Sequence, residues 1–505
     1  MNNILDMLEN AAFKYGNKIA FADKENSISY ISLWDKAKKI AMVLKDKVEL
    51  GQPVAILMDK SVDAICVLFG VVCSGAAYSF VERQQPSTRI QNILNTLNPA
   101  VVIWDKEQQV SSEIEYVQIG FDKINDDIGY INLDDSFLES IRKEIIGMQP
   151  LYINFTSGST GIPKGVSISH LSVLDFIPNF VDVMNIDNSD VIGNQAPLDF
   201  DVSVKDIYSC LCTGARVELI PKEYFMNPQL LMNFLCDRKV SILTWAVSAL
   251  CFITTMRGLE YRCPSQIKCI GFSGECMPIK HLNKLREYLP NTKFINLYGP
   301  TEITCNCTYY EIPKDKQYSL DEDIPIGNSF INKKVFLLDD NNRLISPEKK
   351  DEIGEICVVG SGVALGYYGN AEKTKESFVQ NPLHNLYIEK TYRTGDLAKY
   401  NSFGELVYVS RKDSQIKHMG HRIELGEIET AFTGIDGVDR AVCIYLHEKK
   451  KIIVFYCGER IKEEVADNAK KLLPMFMIPN KIIQLKQMPL NEHGKIDRTL
   501  LKEMA

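Results

Sequence analysis

The stretch LYINFTSGSTGIPKGVSIS, residues 151–169, sets a loop dense in Gly, Ser and Thr between two short apolar runs. The loop itself reads Thr156-Ser157-Gly158-Ser159-Thr160-Gly161-Ile162-Pro163-Lys164-Gly165. Small residues let the backbone curl so that its N–H groups and hydroxyls face one point, where they suit phosphate oxygens, and Lys164 adds charge. The order of Gly and Lys does not match the Gly-x-x-x-x-Gly-Lys-Ser/Thr phosphate loop. A flexible surface linker is the plainer alternative, but a linker need not sit between strands or end in Pro-Lys-Gly.

Working outward, PVAILM at 53–58 and AVVIW at 100–104 are continuous apolar runs of the kind buried parallel strands require. Amphipathic stretches such as SLWDKAKKIAMVL at 32–44 lie between them, and the alternation continues to about residue 310. Ala64 to Tyr78 is too short to span a bilayer and reads as a buried helix. Residues 320–408 change to strands joined by Asp, Asn and Gly turns, and the remainder reads as a compact α+β module. The fold class expected is therefore α/β. A large N-terminal domain, 1–410, carries parallel-type sheets in αβα layers plus a β-rich subdomain. A small mobile α+β domain, 411–505, follows it.

Composition narrows the function. A net charge of −8 argues against nucleic acid. The last 95 residues carry +3 and the first 410 carry −11, an asymmetry that suits an acidic partner or is mere sampling. The 14 cysteines include no C-x-x-C pair and suit reduced thiols in a cytoplasmic protein. The start, MNNILDMLEN, has no basic region and reads as no signal peptide; no membrane insertion is expected.

Four further motifs follow the loop: Asn296-Leu297-Tyr298-Gly299-Pro300-Thr301-Glu302; Tyr392-Arg393-Thr394-Gly395-Asp396; Arg411-Lys412-Asp413 with Lys417, Gly420 and the run Arg422 to Glu429; and Asn491-Glu492-His493-Gly494-Lys495-Ile496-Asp497-Arg498. Each alone reads equally well as a turn. In this order and spacing they resemble the adenylate-forming superfamily of acyl-CoA synthetases, luciferases and adenylation domains of nonribosomal peptide synthetases, over essentially the whole chain.

The resemblance implies an AMP-forming ligase that uses ATP and Mg²⁺. It implies that Thr156, Ser157, Gly158, Ser159, Thr160, Gly161 and Lys164 hold the phosphates, and that Tyr298, Asn296, Gly274, Glu275 and Gly299 form the adenine pocket. Asp396 and Arg411 would bind ribose, Thr301 the α-phosphate and Glu302 the metal. Lys495 would be the catalytic lysine, Asp413 the hinge and Gly420 the edge of a thiol tunnel. A carboxylate attacking a phosphate brings two anions together, so positive groups where charge develops carry the catalysis.

Asp201, in NQAPLDFDVSVKDIYSCL at 194–211, matches the aspartate that pairs with an amino acid's α-ammonium, or is merely a helix-start residue. Phe200, Trp245, Ser273, Leu297 and Cys305 are the other expected substrate contacts, with Trp245 equally able to be core. The stretch is similar to stand-alone D-alanine–carrier protein ligases, although Ser273 stands where those would carry Cys. The resemblance thus implies a small amino acid handed to a phosphopantetheinyl carrier protein in trans, by a monomer. An adenylation enzyme for another small amino acid, an acyl- or aryl-CoA ligase and an inactive ATP-binding module are the alternatives.

Lys495→Ala is expected to lower adenylation by about 10²–10³-fold while still loading a supplied acyl adenylate onto its thiol acceptor. Equal failure of both half-reactions would contradict an exchange of lysine and thiol at one site.

Overall fold

The computed structural model describes residues 2–106, 116–158, 162–320, 322–412, 415–447, 449–490 and 496–505. Ser159, Thr160, Gly161, Asp413 and Lys495, all expected at the site, lie outside the described residues.

Two large sheets form the body. In the nine-stranded sheet, the strands Lys293–Tyr298, Cys269–Ser273, Ile242–Ala246, Val191–Asn194, Arg216–Leu219 and Ile19–Ala22 run parallel, with antiparallel strands at both edges. The seven-stranded sheet has Pro53–Leu57 and Val101–Trp104 at its parallel centre, where the apolar runs placed them. Every residue of Pro53–Leu57 and of Cys269–Ser273 is buried, as strands covered on both faces must be. The helix Tyr30–Leu44 turns its apolar stripe inward and is capped by the Ser29 hydroxyl. Against it packs Val62–Cys73, apolar on nearly every side; Gly70 makes the contact possible, because a Cβ there would fall 2.3 Å from Ile40 Cγ2.

The Gly/Ser/Thr loop leaves the second sheet as an antiparallel hairpin, Pro150–Thr156 against Lys164–Ser169, with Thr156 opposite Lys164. A six-stranded antiparallel sheet, built on Lys333–Leu338, Gly354–Gly360 and Lys390–Tyr400, is the β-rich region expected after residue 320. Its last strand, Leu406–Arg411, pairs Arg411 directly with Asp396. Beyond it, Gln415–His418 and His421–Glu424 form a two-stranded ribbon. The helix Leu425–Thr433 then packs on a three-stranded sheet made of Val438–Leu446, Lys451–Gly458 and Lys481–Gln484. This module has its own core around Ile428, Phe432, Val454 and Tyr456. No helix among the described residues is long and apolar enough to cross a membrane.

Trp245 departs from the pocket-wall expectation. It is fully buried among Phe225, Phe272 and Leu250, its ring meets Phe225 edge-on at 5.2 Å, and its indole N–H donates to the Gly193 carbonyl at 2.7 Å. A buried indole must place its one donor, and the neighbouring parallel strand supplies the acceptor. Trp245→Ala is expected to lower stability by about 3–5 kcal/mol and to leave the ranking of substrates unchanged. A thermal melt and a substrate panel check this, and an altered ranking would return the indole to the pocket.

Candidate functional site

The sheet ends converge on a cavity of about 130 Å³. Thr156 and Ser157 reach it from the hairpin, Phe200 and Asp201 from the start of the helix Val202–Thr213, and Ser273 and Gly274 from the end of Cys269–Ser273. Thr301, Cys305 and Asn306 close it from the turn that follows Lys293–Tyr298. That turn is strained: Thr304 and Cys305 both hold positive φ, at 58° and 64°. Gly299 makes room for it, since a Cβ there would lie 2.5 Å from Asn306 Cα.

Asp201 stands where a helix cap would, yet its side chain makes no capping bond. Burial raises its pKa, and Lys205 and the Thr301 side chain oppose that rise. Asp201 borders the cavity, where bonds from the Thr301 side chain and the Val202 N–H favour its charged form.

Glu302 is completely buried, with Oε1 accepting from the Tyr367 hydroxyl at 2.9 Å and Oε2 from Arg422 Nη1 at 2.7 Å. Burial works against its charge, but Arg422 and Lys164 outweigh burial and hold the carboxyl down at about 2. Arg422 belongs to the C-terminal module, so this ion pair crosses between the two parts of the chain. Its neighbours cross with it. Ser157 Oγ donates to the Arg422 carbonyl at 2.7 Å, Lys164 Nζ lies 3.8 Å from Glu424, and Arg89 pairs with Glu427 where both are buried. Gly420, with φ of 82°, donates its N–H to Glu275 Oε1 at 2.7 Å, and a Cβ there would lie 3.1 Å from Ala246 Cβ.

A second, larger cleft of about 1060 Å³ opens beside the cavity. Asn296, Leu297 and Tyr298 line it, with Glu275 and Lys417. The Tyr298 hydroxyl donates to Asp396 Oδ2 at 2.6 Å and Arg411 Nη1 to Asp396 Oδ1 at 2.5 Å, while Lys417 Nζ stands 5.4 Å from the centre of the Tyr298 ring. Asn296 donates its amide to the Pro325 carbonyl. Among the described residues no three His, Cys, Asp or Glu side chains gather as a metal site. Glu302 is ionised, but Tyr367 and Arg422 take both of its oxygens, so in this arrangement it presents no open ligand to a Mg²⁺.

Of the residues expected from sequence, Thr156, Ser157, Phe200, Asp201, Ser273, Gly274, Gly299, Thr301, Cys305, Asp396, Arg411 and Gly420 all border the smaller cavity. Glu275, Asn296, Leu297 and Tyr298 border the larger cleft, and Gly158, Lys164, Trp245 and Glu302 border neither. Sequence reading missed Arg89, Tyr367 and Phe476. Arg89 meets Glu427 across 338 positions, and no local pattern marks such a pair.

His421 is held between the two parts of the chain. Its ring stacks on Phe476 at 3.7 Å and meets Phe200 edge-on at 4.8 Å. Burial, reinforced by His418, Lys222 and Arg89, pushes its pKa down to about 3. Once freed, the imidazole regains protons below its ordinary value near 6.5, whereas the docked ring stays neutral. Docking is therefore weakened as pH falls from 6.5 towards 3, and by about 30-fold at pH 5 if the full shift is relieved. Fluorescence transfer between dyes on the two parts of the chain checks this. His421→Phe should flatten the dependence, and an unchanged pH profile in that variant would contradict the account.

The AMP-binding enzyme family model matches residues 8–368. The chain is 31% identical to zwittermicin A synthase ZmaJ of Bacillus cereus, covering 99% of this chain and 94% of that protein. It is 30% identical to bacitracin synthase 1 of Bacillus licheniformis and to tyrocidine synthase 1 of Brevibacillus parabrevis, each over 99% of this chain. It spans 9% of the length of the first and 45% of the second, so it is similar to one segment of much larger proteins. Among solved structures, holo-PA1221, an NRPS protein containing adenylation and PCP domains, superposes with a TM-score of 0.84 at 22% identity, over 100% of this chain and 84% of that one. The chain belongs to the AMP-binding enzyme family, the adenylate-forming superfamily that the order of its motifs resembles.

Proposed function

We propose that this chain activates an amino acid by attack of its carboxylate on the α-phosphorus of ATP, then passes the acyl group to the phosphopantetheine thiol of a carrier protein. The convergence of Asp201 with Thr301, Asp396 and Arg411 around one cavity, with the adjacent Glu302 paired to Arg422, carries this reading. Asp201 pairs with the α-ammonium, Thr301 with the α-phosphate, and Asp396 with Arg411 holds the ribose. Asn296, Tyr298, Glu275 and Gly299 surround the adenine. Thr156, Ser157, Gly158 and Lys164 belong to the phosphate loop, completed by Ser159, Thr160 and Gly161. Glu302 would hold a Mg²⁺ that neutralises phosphate charge only when Arg422 has withdrawn from it.

Lys495 and the Asp413 hinge serve the first half-reaction. The docked arrangement, with the Gly420 loop against Ala246 and Glu275, suits the second. In that step the thiol sulfur bonds to the acyl carbon, the carbon–oxygen bond to phosphate breaks, AMP leaves, and the thiol proton passes to solvent. The docked module shields the mixed anhydride from water. A single copy carries these groups, which suits a monomer, and use of ATP suits the cytoplasm. D-alanine is the finer reading that residues 194–211 suggest. Another small amino acid in a peptide-synthetase pathway is the second, favoured by likeness to tyrocidine synthase 1.

Amino-acid-dependent ATP–pyrophosphate exchange tests the proposal over glycine, D- and L-alanine, serine, β-alanine and the remaining L-amino acids. Asp201→Ala is expected to lower kcat/KM for the preferred amino acid by about 10²-fold, the cost of leaving one charge of a buried pair unmatched. Equal exchange with an acid lacking the amine would overturn the amino-acid reading.

A further inference from the structure

One turn beyond Asp201 on the same helix stands Lys205, 1% exposed. A buried ammonium is costly unless paired, and its nearest groups leave it short of partners. It donates to Asn306 Oδ1 at 2.9 Å and lies 5.8 Å from the centre of the Phe180 ring. Asp206 is already held by Asn194 at 2.9 Å and by the Thr244 hydroxyl. Burial lowers the Lys205 pKa, and Asp201 is the other carboxylate that opposes this and favours its charge.

Asn306 is itself 1% exposed and borders the cavity. Its backbone N–H donates to the Thr304 carbonyl, and its carbonyl accepts from Lys333 at 2.6 Å. Lysine can only donate, so Lys205 commits the Asn306 amide oxygen and turns the NH₂ the other way. Among the described residues that NH₂ has no acceptor. The wall beside Asp201 thus offers a buried, unpartnered donor with a positive charge behind it.

We infer that Asn306, positioned by Lys205, selects an amino acid that carries a carboxylate in its side chain. The inference rests on the amino-acid reading of Asp201 and sets an acidic amino acid in place of D-alanine. When the α-ammonium takes Asp201, Lys205 loses its free counter-charge. A side-chain carboxylate accepts from Asn306 Nδ2 and restores neutrality. A carboxamide satisfies the donor and leaves the charge, and a methyl group satisfies neither. Lys205 is a positioning residue here, acting through Asn306. The cavity of about 130 Å³ favours a short side chain.

The experiment is ATP–pyrophosphate exchange with aspartate, glutamate, asparagine, glutamine, D- and L-alanine on the full chain, its Lys205→Met variant and its Asn306→Leu variant. The wild type is expected to prefer an acidic amino acid. Lys205→Met should lower kcat/KM for it by about 10²-fold while changing that of the matching amide far less, whereas Asn306→Leu should lower the acid and its amide together and leave alanine unchanged. A merely structural lysine would lower all substrates together, and that result overturns the inference, as does wild-type preference for alanine or an apolar amino acid. Should Lys205→Met fail to fold, as circular dichroism would show, Asn306→Leu decides: a loss confined to the acid and its amide supports the inference, and an equal loss with alanine overturns it. Exchange with alanine but not with acids sinks this inference and leaves the amino-acid reading standing. Silence across every amino acid sinks both.

Discussion

The ion pair between Glu302 and Arg422 organises everything near the cavity. Glu302 is fully out of water and Arg422 mostly so, and breaking a buried pair by removing one partner typically costs about 3–5 kcal/mol. The pair survives burial because further partners support the carboxylate. Tyr367 takes the second carboxylate oxygen, and Lys164 adds positive charge nearby. Arg422 is the second residue of the strand that follows Gly420, so fixing its guanidinium also fixes the Gly420 loop against Ala246. The docking of the C-terminal module is therefore not a diffuse apolar contact. It is a set of directional bonds, with Arg89–Glu427 and Ser157–Arg422 aligned around the same centre.

That arrangement makes a polar site in a closed place. The parallel strands end at a common edge, and short turns carry side chains past their carboxyl ends. The strained turn at Thr304 and Cys305 exists because Gly299 yields space and Lys333 donates to three backbone carbonyls, those of Ile303, Thr304 and Asn306. Strain of this kind persists only where neighbours over-determine it. Here it brings Cys305 and Asn306 to the cavity that Asp201 also borders.

Much of the fold was legible in the chain itself. Apolar runs such as 53–57 and 101–104 became central strands because burial on both faces demands unbroken apolar side chains. The hairpin around the Gly/Ser/Thr loop, the β-rich stretch after 320 and the helix after Glu424 all follow their local patterns. Trp245 was not legible, because a large apolar residue on a buried strand reads alike as core or as pocket wall. Only the position of the Gly193 carbonyl decides it.

What the sequence by itself determined is the family and the inventory of chemistry: a phosphate-suited loop, one acidic residue after Gly-Pro-Thr, an Asp in a buried strand, and an Asp before a helix. Local spacing carries that information because loops and caps are built from near neighbours. The tertiary structure alone decided which groups meet. Arg422 reaches Glu302 across 120 positions, Arg89 reaches Glu427 across 338, and Lys205 reaches Asn306 across 101. Such pairs have no sequence signature, since each side chain's partner is chosen by how separate elements pack rather than by anything written beside it.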